Sequence, residues 1–598
     1  MFKQKAAGDF IIYYHSGTTG WTSPTWNGYY TACIDATLSD FSALDANNMN
    51  AQGIIFTLND DSNTATVGKN TSESNNAGYY GNNSGDVVLP ANVTKGGKTY
   101  KVIGIGQCAF SGNRFLKSIE IGSNVTSVDP TAFLGCVEFS AFTVASGNTH
   151  FSANDGILYD AGKLYLYVYP CAKAGDEYAV PSTVKTIGTM TFANNCKVVS
   201  LTAPSGVQTI GSGAFSGCEK LTSIALPFIG GSLETNETFS YVFDGHYSSC
   251  PESLKTVVIT GGKLTSRSFY SCRSIESISL PANDTVIPSE CFSNCTALKT
   301  LLFTDTISAS SNLETGHIII PTRITEISDS AFNNCAALKF VQLPSKLTTI
   351  GPGAFGGCSG LERIEIPASV TSIGYGAFKG CWGNTEFKVA NGNSKYCSDK
   401  WGVLYSKDMK ELISYPSNRK WPYYNVPDGT TTIDGYAFTS CVNLVNVYIP
   451  NSVTDIGHTD YWYGNQPAIS NCPGLTVCAY IGSTVYTYAG NNNITAWPMD
   501  NYQLQGIEIY SLPEKTVMQA GSANFDGMYV TMNVGKVLQL DDYTISYNPR
   551  ATGVQMATVS YMGKSASFPI MLYGATDHVI DFGEAGLAKR NHRACGGL

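Results

Sequence analysis

Between residues ~105 and ~480 the apolar positions recur with a fixed step. Ala331-Phe332-Asn333-Asn334-Cys335-Ala336-Ala337-Leu338 returns 23 residues later as Ala354-Phe355-Gly356-Gly357-Cys358-Ser359-Gly360-Leu361, and again from Ala377-Phe378 to Cys381. After each cysteine, Leu338, Val341 and Leu343 lie in a stretch that ends in apolar alternation and reads as a short strand. Pro344 stops it, because proline cannot donate to a ladder. Leu347-Thr348-Thr349-Ile350 reads as a second short extended piece. Gly351 permits a corner, and residues 352–357 read as a single helical or 3₁₀ turn. The phenylalanine slot is filled by Phe110, Phe133, Phe192, Phe215, Phe269, Phe292, Phe332, Phe355, Phe378 and Phe438, and the gaps longer than 23 residues mark insertions. A degenerate copy, Ile469-Ser470-Asn471-Cys472-Pro473-Gly474-Leu475, closes the array.

A step of about 20–29 residues with leucine-like positions is the signature of a leucine-rich-repeat solenoid. One unit cannot bury its own apolar residues. Stacked copies bury them against each other, with strands ~4.8 Å apart. Phenylalanine then stacks on phenylalanine and cysteine on cysteine. The run Leu361-Glu362-Arg363-Ile364-Glu365-Ile366-Pro367-Ala368-Ser369-Val370-Thr371-Ser372-Ile373-Gly374-Tyr375-Gly376-Ala377-Phe378 resembles the BspA-like leucine-rich repeats of bacterial surface proteins. Asn393-Ser394-Lys395-Tyr396, Gly402-Val403-Leu404-Tyr405 and Leu412-Ile413-Ser414-Tyr415-Pro416 look like the hairpin insert common in such arrays. Asn148 to Phe151, Gly156-Ile157-Leu158-Tyr159 and Tyr169-Pro170 form a second copy. For function the resemblance implies a class: adhesion to host proteins, glycans or other cells.

Composition fits a secreted β-rich scaffold, with charged residues at only 14% and abundant Tyr and Gly. The net charge is −9, and no dense basic stripe occurs, which argues against a nucleic-acid surface. Nine cysteines share the repeat slot: Cys136, Cys218, Cys272, Cys295, Cys335, Cys358, Cys381, Cys441 and Cys472. Asn113 and Asn195 occupy the same slot in other copies. A slot that takes Cys or Asn reads as an inward, turn-facing position of small side chains. The rival reading is disulfides between adjacent rungs, whose spacing would allow them. No close CxxC pair with His partners marks a metal site.

The ends differ from the array. Residues 1–50 carry no repeat pattern and no apolar run of signal-peptide type. Either a leader precedes this numbering or the protein leaves its cell another way. No 18-residue apolar stretch marks a transmembrane helix. Ile54 to Leu58 and Thr64 to Val67 read as a hairpin, and residues 51–104 as an N-terminal cap. A polar stretch from Gly68 to Gly85 interrupts it. The solenoid with its two hairpin inserts covers 105–500. Residues 505–574 show short strands at β-sandwich spacing and resemble bacterial immunoglobulin-like domains. Residues 575–598 form a tail with no fold signal; it and the N-terminal segment are candidates for assembly contacts. The fold class is therefore mainly β: a solenoid of ~23-residue repeats, with short parallel strands and helical turns, followed by a β-sandwich.

Catalytic motifs are not found. Gly351-Pro352-Gly353-Ala354-Phe355-Gly356 fits the dinucleotide fingerprint, but it lies in the repeat turn and sister repeats break it. The seven histidines are scattered, with no HExxH and no GxSxG. The reading is non-enzymatic, with no cofactor and no metal. The candidate binding residues flank the inward aliphatics of successive strands and therefore point outward: Phe340 and Gln342, Arg363 and Glu365, Glu386 and Lys388, Asn446 and Tyr448. Phe340 and Tyr448 are apolar enough to anchor a ligand, and the charged four can set specificity. The expected function is an adhesin or receptor-binding protein, secreted or on the cell surface, that docks a host extracellular protein, a glycan or another cell surface. The alternative is a virion-associated protein of a phage infecting such bacteria.

Overall fold

In the computed structural model each repeat lays down two short strands joined through tight turns. The structure describes residues 42–573 except 46–47, 51, 69–84, 236, 244–249, 305–314, 461–463, 501–502, 514–516, 520–522, 526–527, 535–536 and 541–542, together with strands at 11–14, 25–26 and 29–33. The polar stretch after Gly68, the tail from 575 and most of the first forty residues lie outside the described residues. In one repeat the strands are Phe340–Gln342 and Thr349–Ile350; in the next they are Arg363–Ile366 and Ser372–Ile373. Equivalent strands pair in parallel, one repeat upon the next. Leu201, Ile224, Val257, Ile278 and Leu301 stand opposite one another across five strands, and all are buried. This inward row is the core of the array.

The turn that follows the second strand makes the stacking specific. Its expected helical turn takes the form of 3₁₀-type bonds: Ala354 N–H to Gly351 O at 3.2 Å, Gly356 N–H to Gly353 O at 2.9 Å, and Cys358 N–H to Phe355 O at 3.1 Å. Left-handed residues break the run, at Gly353 and Gly357 here and at Ser330 and Asn334 one repeat earlier. That conformation explains why the residue before the cysteine is Gly, Asn or Ser. At the corner, Gly374 has no room for a side chain. A Cβ there would lie 2.3 Å from Pro352 N of the preceding repeat.

The backbone of seven slot phenylalanines is bonded on both sides by the following repeat. Phe332 N–H donates to Ala354 O at 2.8 Å, and Cys358 Sγ donates to Phe332 O at 3.0 Å. Phe355 is held alike by Ala377 O and Cys381 Sγ, at 2.8 and 3.2 Å. The same thiol-to-carbonyl bond joins Cys136 to Phe110, Cys218 to Phe192, Cys295 to Phe269, Cys335 to Phe292 and Cys472 to Phe438. Where asparagine takes the slot, it does comparable work: Asn195 Nδ2 donates to Pro170 O, and its Oδ1 accepts from Lys197 and Val198 N–H. The rings stack face to face, with centroids 5.4 Å apart for Phe332–Phe355 and 6.0 Å for Phe355–Phe378. Tyr169 and Tyr415 take the ring position in the two inserted repeats, on Phe192 and Phe438. Phe239 and Phe243 carry the column between Phe215 and Phe269. None of the sixteen cysteines whose side chains are described forms a disulfide. Eight of the nine slot cysteines are buried, and Cys472 is half-buried.

The chain divides into two compact units, 1–407 and 408–598. In the first, the hairpin Phe56–Asn59 and Thr64–Val67 joins the edge of the strand Lys98–Ile105, placing Phe56, Ala65 and Val67 in the core. The insert motifs prove to be an asparagine clamp. Asn148 Nδ2 bonds Gly122 O and Val125 O while its Oδ1 accepts from His150 and Phe151 N–H. Asn393 repeats this with Pro367, Val370, Lys395 and Tyr396. In the second unit the last repeats include one α-helix, Thr484–Asn491, capped by Ser483 Oγ, which accepts from Tyr486 N–H. Two sheets follow. One holds Gly506–Ser511, Tyr529–Asn533 and Val537–Leu540; the other holds Val517–Gln519, Thr544–Ser546, Gly553–Tyr561 and Lys564–Tyr573. They share a core around Val530, Val559, Phe568 and Leu572.

Two predictions follow from the stacked turn. Phe355 is 2% exposed, so Phe355→Ala should cost about 3–5 kcal/mol in denaturant unfolding; a cost below about 1 kcal/mol would contradict the ring column. Burial pushes the thiols of Cys136, Cys218 and Cys358 up to about 12. The folded chain therefore holds these protons more tightly than the unfolded chain does. Their contribution is fully present below about pH 9 and is lost as pH rises toward about 12, at roughly 1.4 kcal/mol per pH unit per thiol. Unfolding midpoints should fall steeply across that window, and a flat profile there would contradict the burial of these thiols.

Candidate solenoid binding face

Alternation along each strand separates the inward aliphatic from its outward neighbours, so the face follows directly from the core. In the first unit six of the eight expected residues lie on one sheet face. Phe340 and Gln342 flank buried Val341, Arg363 and Glu365 flank Ile364, and Glu386 and Lys388 flank Phe387. The register sets Arg363 opposite Glu386, and Glu365 opposite Lys388. Opposite charges therefore face each other across both rows of this pair of strands. Arg363 also bridges Glu365 at 3.0 Å, but both side chains are more than 40% exposed, so this pair contributes little to stability.

The face contains a cluster built around Phe340. Its ring is half-buried, and the Arg363 guanidinium sits 5.8 Å from its centroid. On the other side the His317 ring lies 5.6 Å away, from the strand His317–Ile319, which pairs in register with Phe340–Gln342. Histidine, phenyl and guanidinium thus form a row across three successive strands. Sequence reasoning missed His317, because an insertion stretches the phenylalanine spacing there to 40 residues. The available signal was Ile318-Ile319-Ile320-Pro321, which repeats the strand-then-proline pattern of Leu343-Pro344. Upstream, the corresponding outward row is Ser200, Ser223, Thr256, Ser277 and Thr300, in register and uncharged.

Asn446 and Tyr448 require a correction. They belong to the second unit and do not stand on an open face. Asn446 is 4% exposed, and its Nδ2 donates to Val537 O at 2.6 Å. Tyr448 packs beside Cys478, Met499, Val534 and Leu538. The C-terminal strands cover this part of the sheet. Trp421 stacks on Tyr529 with centroids 3.9 Å apart, and its Nε1 donates to Gln539 Oε1 at 2.9 Å. Asn425 Nδ2 donates to Gln539 O at 2.7 Å. The physical reason is simple: alternation says which side chains point outward, but not what lies over them.

Among the described residues, no three His, Cys, Asp or Glu side chains gather as a metal-ligand set. No helix among them is long and apolar enough to cross a membrane.

Comparison with known sequences and structures places the repeats. A family description, "BspA type Leucine rich repeat region", matches six copies across residues 64–155, 169–299, 308–400 and 414–511. No curated protein matches the chain. Among solved structures, the chain is similar to a leucine-rich cell surface protein of Faecalibacterium prausnitzii. The identity is 24%, covering 73% of this chain and 75% of that one, with a TM-score of 0.27. It is also similar to a leucine-rich repeat protein of Bacteroides ovatus at 22% identity, covering 66% and 93%, with a TM-score of 0.36. A leucine-rich repeat protein of Eubacterium ventriosum shares 24% identity over 54% and 72%, with a TM-score of 0.29.

Proposed function

We infer function from one premise: this chain belongs to the BspA-type leucine-rich repeat family. Leucine-rich repeats of this type are in general non-enzymatic scaffolds that bind other proteins. The chain acts as a surface-exposed adhesin or receptor-binding protein, and its partner is an extracellular protein docked on the solenoid sheet face. The observation that carries this reading is the row His317, Phe340 and Arg363, with charge pairs beside it. A half-buried aromatic held between two nitrogen-bearing planes is a preformed anchor, because its geometry is fixed before the partner arrives. Gln342, Glu365, Glu386 and Lys388 form a polar rim that sets register. In this reading the C-terminal strands form an immunoglobulin-like module that covers the last repeats and supports the array.

The test uses the full chain against immobilised collagen, fibronectin and laminin and against fixed epithelial cells. A variant combining His317→Ala, Phe340→Ala and Arg363→Ala should weaken whichever binding the wild type shows by at least about 30-fold, as expected for loss of a hot spot worth about 2 kcal/mol or more. Its melting temperature should stay nearly unchanged, since none of the three lies in the core. Undiminished binding by a folded triple variant would remove the site from this face.

A further inference from the structure

Cys272 differs from seven of its eight sister slot thiols in what it meets; the eighth, Cys441, hydrogen-bonds the Cys472 thiol. Cys136, Cys218, Cys295, Cys335, Cys358, Cys381 and Cys472 each donate to a phenylalanine carbonyl of an earlier repeat. The Cys272 sulfur instead lies 3.0 Å from the Cys250 sulfur. By strand register Pro251 stands in the slot of the repeat carried by Phe239 and Phe243, with Leu254 as its following buried aliphatic, and Cys250 precedes it by one residue. Cys250 therefore stands 22 residues before Cys272, next to the slot rather than in it. Cys272 is fully buried, whereas Cys250 is half-buried and open to a small reagent. The two other cysteines near Cys272 are engaged elsewhere: Cys295 with Phe269 O at 3.1 Å, and Cys291 with the Ser268 side chain.

We propose that Cys250 and Cys272 are an oxidisable pair, a redox modification site that closes to a disulfide while the phenylalanine-bound thiols stay reduced. A disulfide bond needs sulfurs ~2.05 Å apart, so about 1 Å of side-chain movement closes the pair. The oxidant is a small-molecule disulfide such as oxidised glutathione. The Cys250 thiolate attacks one sulfur of that disulfide and releases one glutathione thiol, leaving a mixed disulfide on Cys250. Cys272 then gives up its proton and attacks the Cys250 sulfur, expelling the second glutathione. Two electrons and two protons pass to the oxidant, and one sulfur–sulfur bond forms in the protein. Burial raises the Cys272 thiol well above its ordinary range, which makes Cys250 the first nucleophile. The product ties the inserted repeat to the one that follows it.

The test treats the purified full chain with oxidised glutathione, caps the remaining thiols, and maps linked peptides without reduction. The expected result is one linkage, Cys250 to Cys272, with the thiol count in denaturant falling by two. The denaturant midpoint should rise on oxidation and return with dithiothreitol. Cys250→Ser should keep its Cys272 thiol and show no midpoint shift. Because Cys250 is half-buried, that variant serves as the control even if Cys272→Ser fails to fold. A mixed glutathione adduct that stays on Cys250, a linkage of either residue to another cysteine, or no modification at any oxidant ratio would each overturn the proposal.

Discussion

The array depends on how buried turn carbonyls find hydrogen-bond donors. Stacking repeats removes the phenylalanine N–H and C=O from water, and although the cysteine N–H of the same repeat already bonds that carbonyl, its second lone pair is left for a donor from the next repeat. The next repeat supplies both partners: the carbonyl before its own phenylalanine accepts the N–H, and its cysteine thiol donates to the C=O. The cysteine is thus more than a small apolar filler. It is a short donor that can reach one carbonyl and still fit beneath a stacked ring. Asparagine serves at Asn195 because it also carries a donor on a short stem, its Nδ2 bonding Pro170 O. Ring stacking, the left-handed residue before the cysteine and the close corner glycine all keep this bond at the same place in each repeat.

That arrangement leaves the outward face free to vary. The inward row must be aliphatic and in register, while its neighbours face away from the core. In the first unit the face runs from uncharged hydroxyls to the His317, Phe340 and Arg363 row. In the second unit the corresponding positions are occupied from within: Trp421, Asn425 and Asn446 bind the C-terminal strands. One repeat geometry therefore supports two uses of the sheet face, an open row and a docking row for the chain's own C-terminal strands.

Much of this was legible in the sequence because each slot has one physical demand. Phe332, Phe355 and Phe378 could be placed from their spacing alone, and Arg363 or Glu386 from strand alternation. What escaped were positions where the demand was met by another residue or a shifted spacing. Tyr169 and Tyr415 stack as rings but are not phenylalanine. Phe243 and Cys250 belong to a repeat hidden by its insertion, and His317 follows another insertion. Strand alternation points Asn446 and Tyr448 outward but carries no information on what covers them. The chemistry of the cysteine slot was half legible: its exchange with asparagine pointed inward to backbone groups, but only the structure identifies the phenylalanine carbonyl as the acceptor.

The most direct measurement of the central claim compares Cys358→Ala, Cys358→Ser and Cys358→Asn by denaturant unfolding. If the slot exists to supply a second donor to Phe332 O, alongside Cys335 N–H, alanine should cost about 0.5–1.5 kcal/mol, and serine or asparagine should recover part of that loss. An alanine variant as stable as the wild type would show that the slot needs only a small apolar side chain, and the account of the turn would fail.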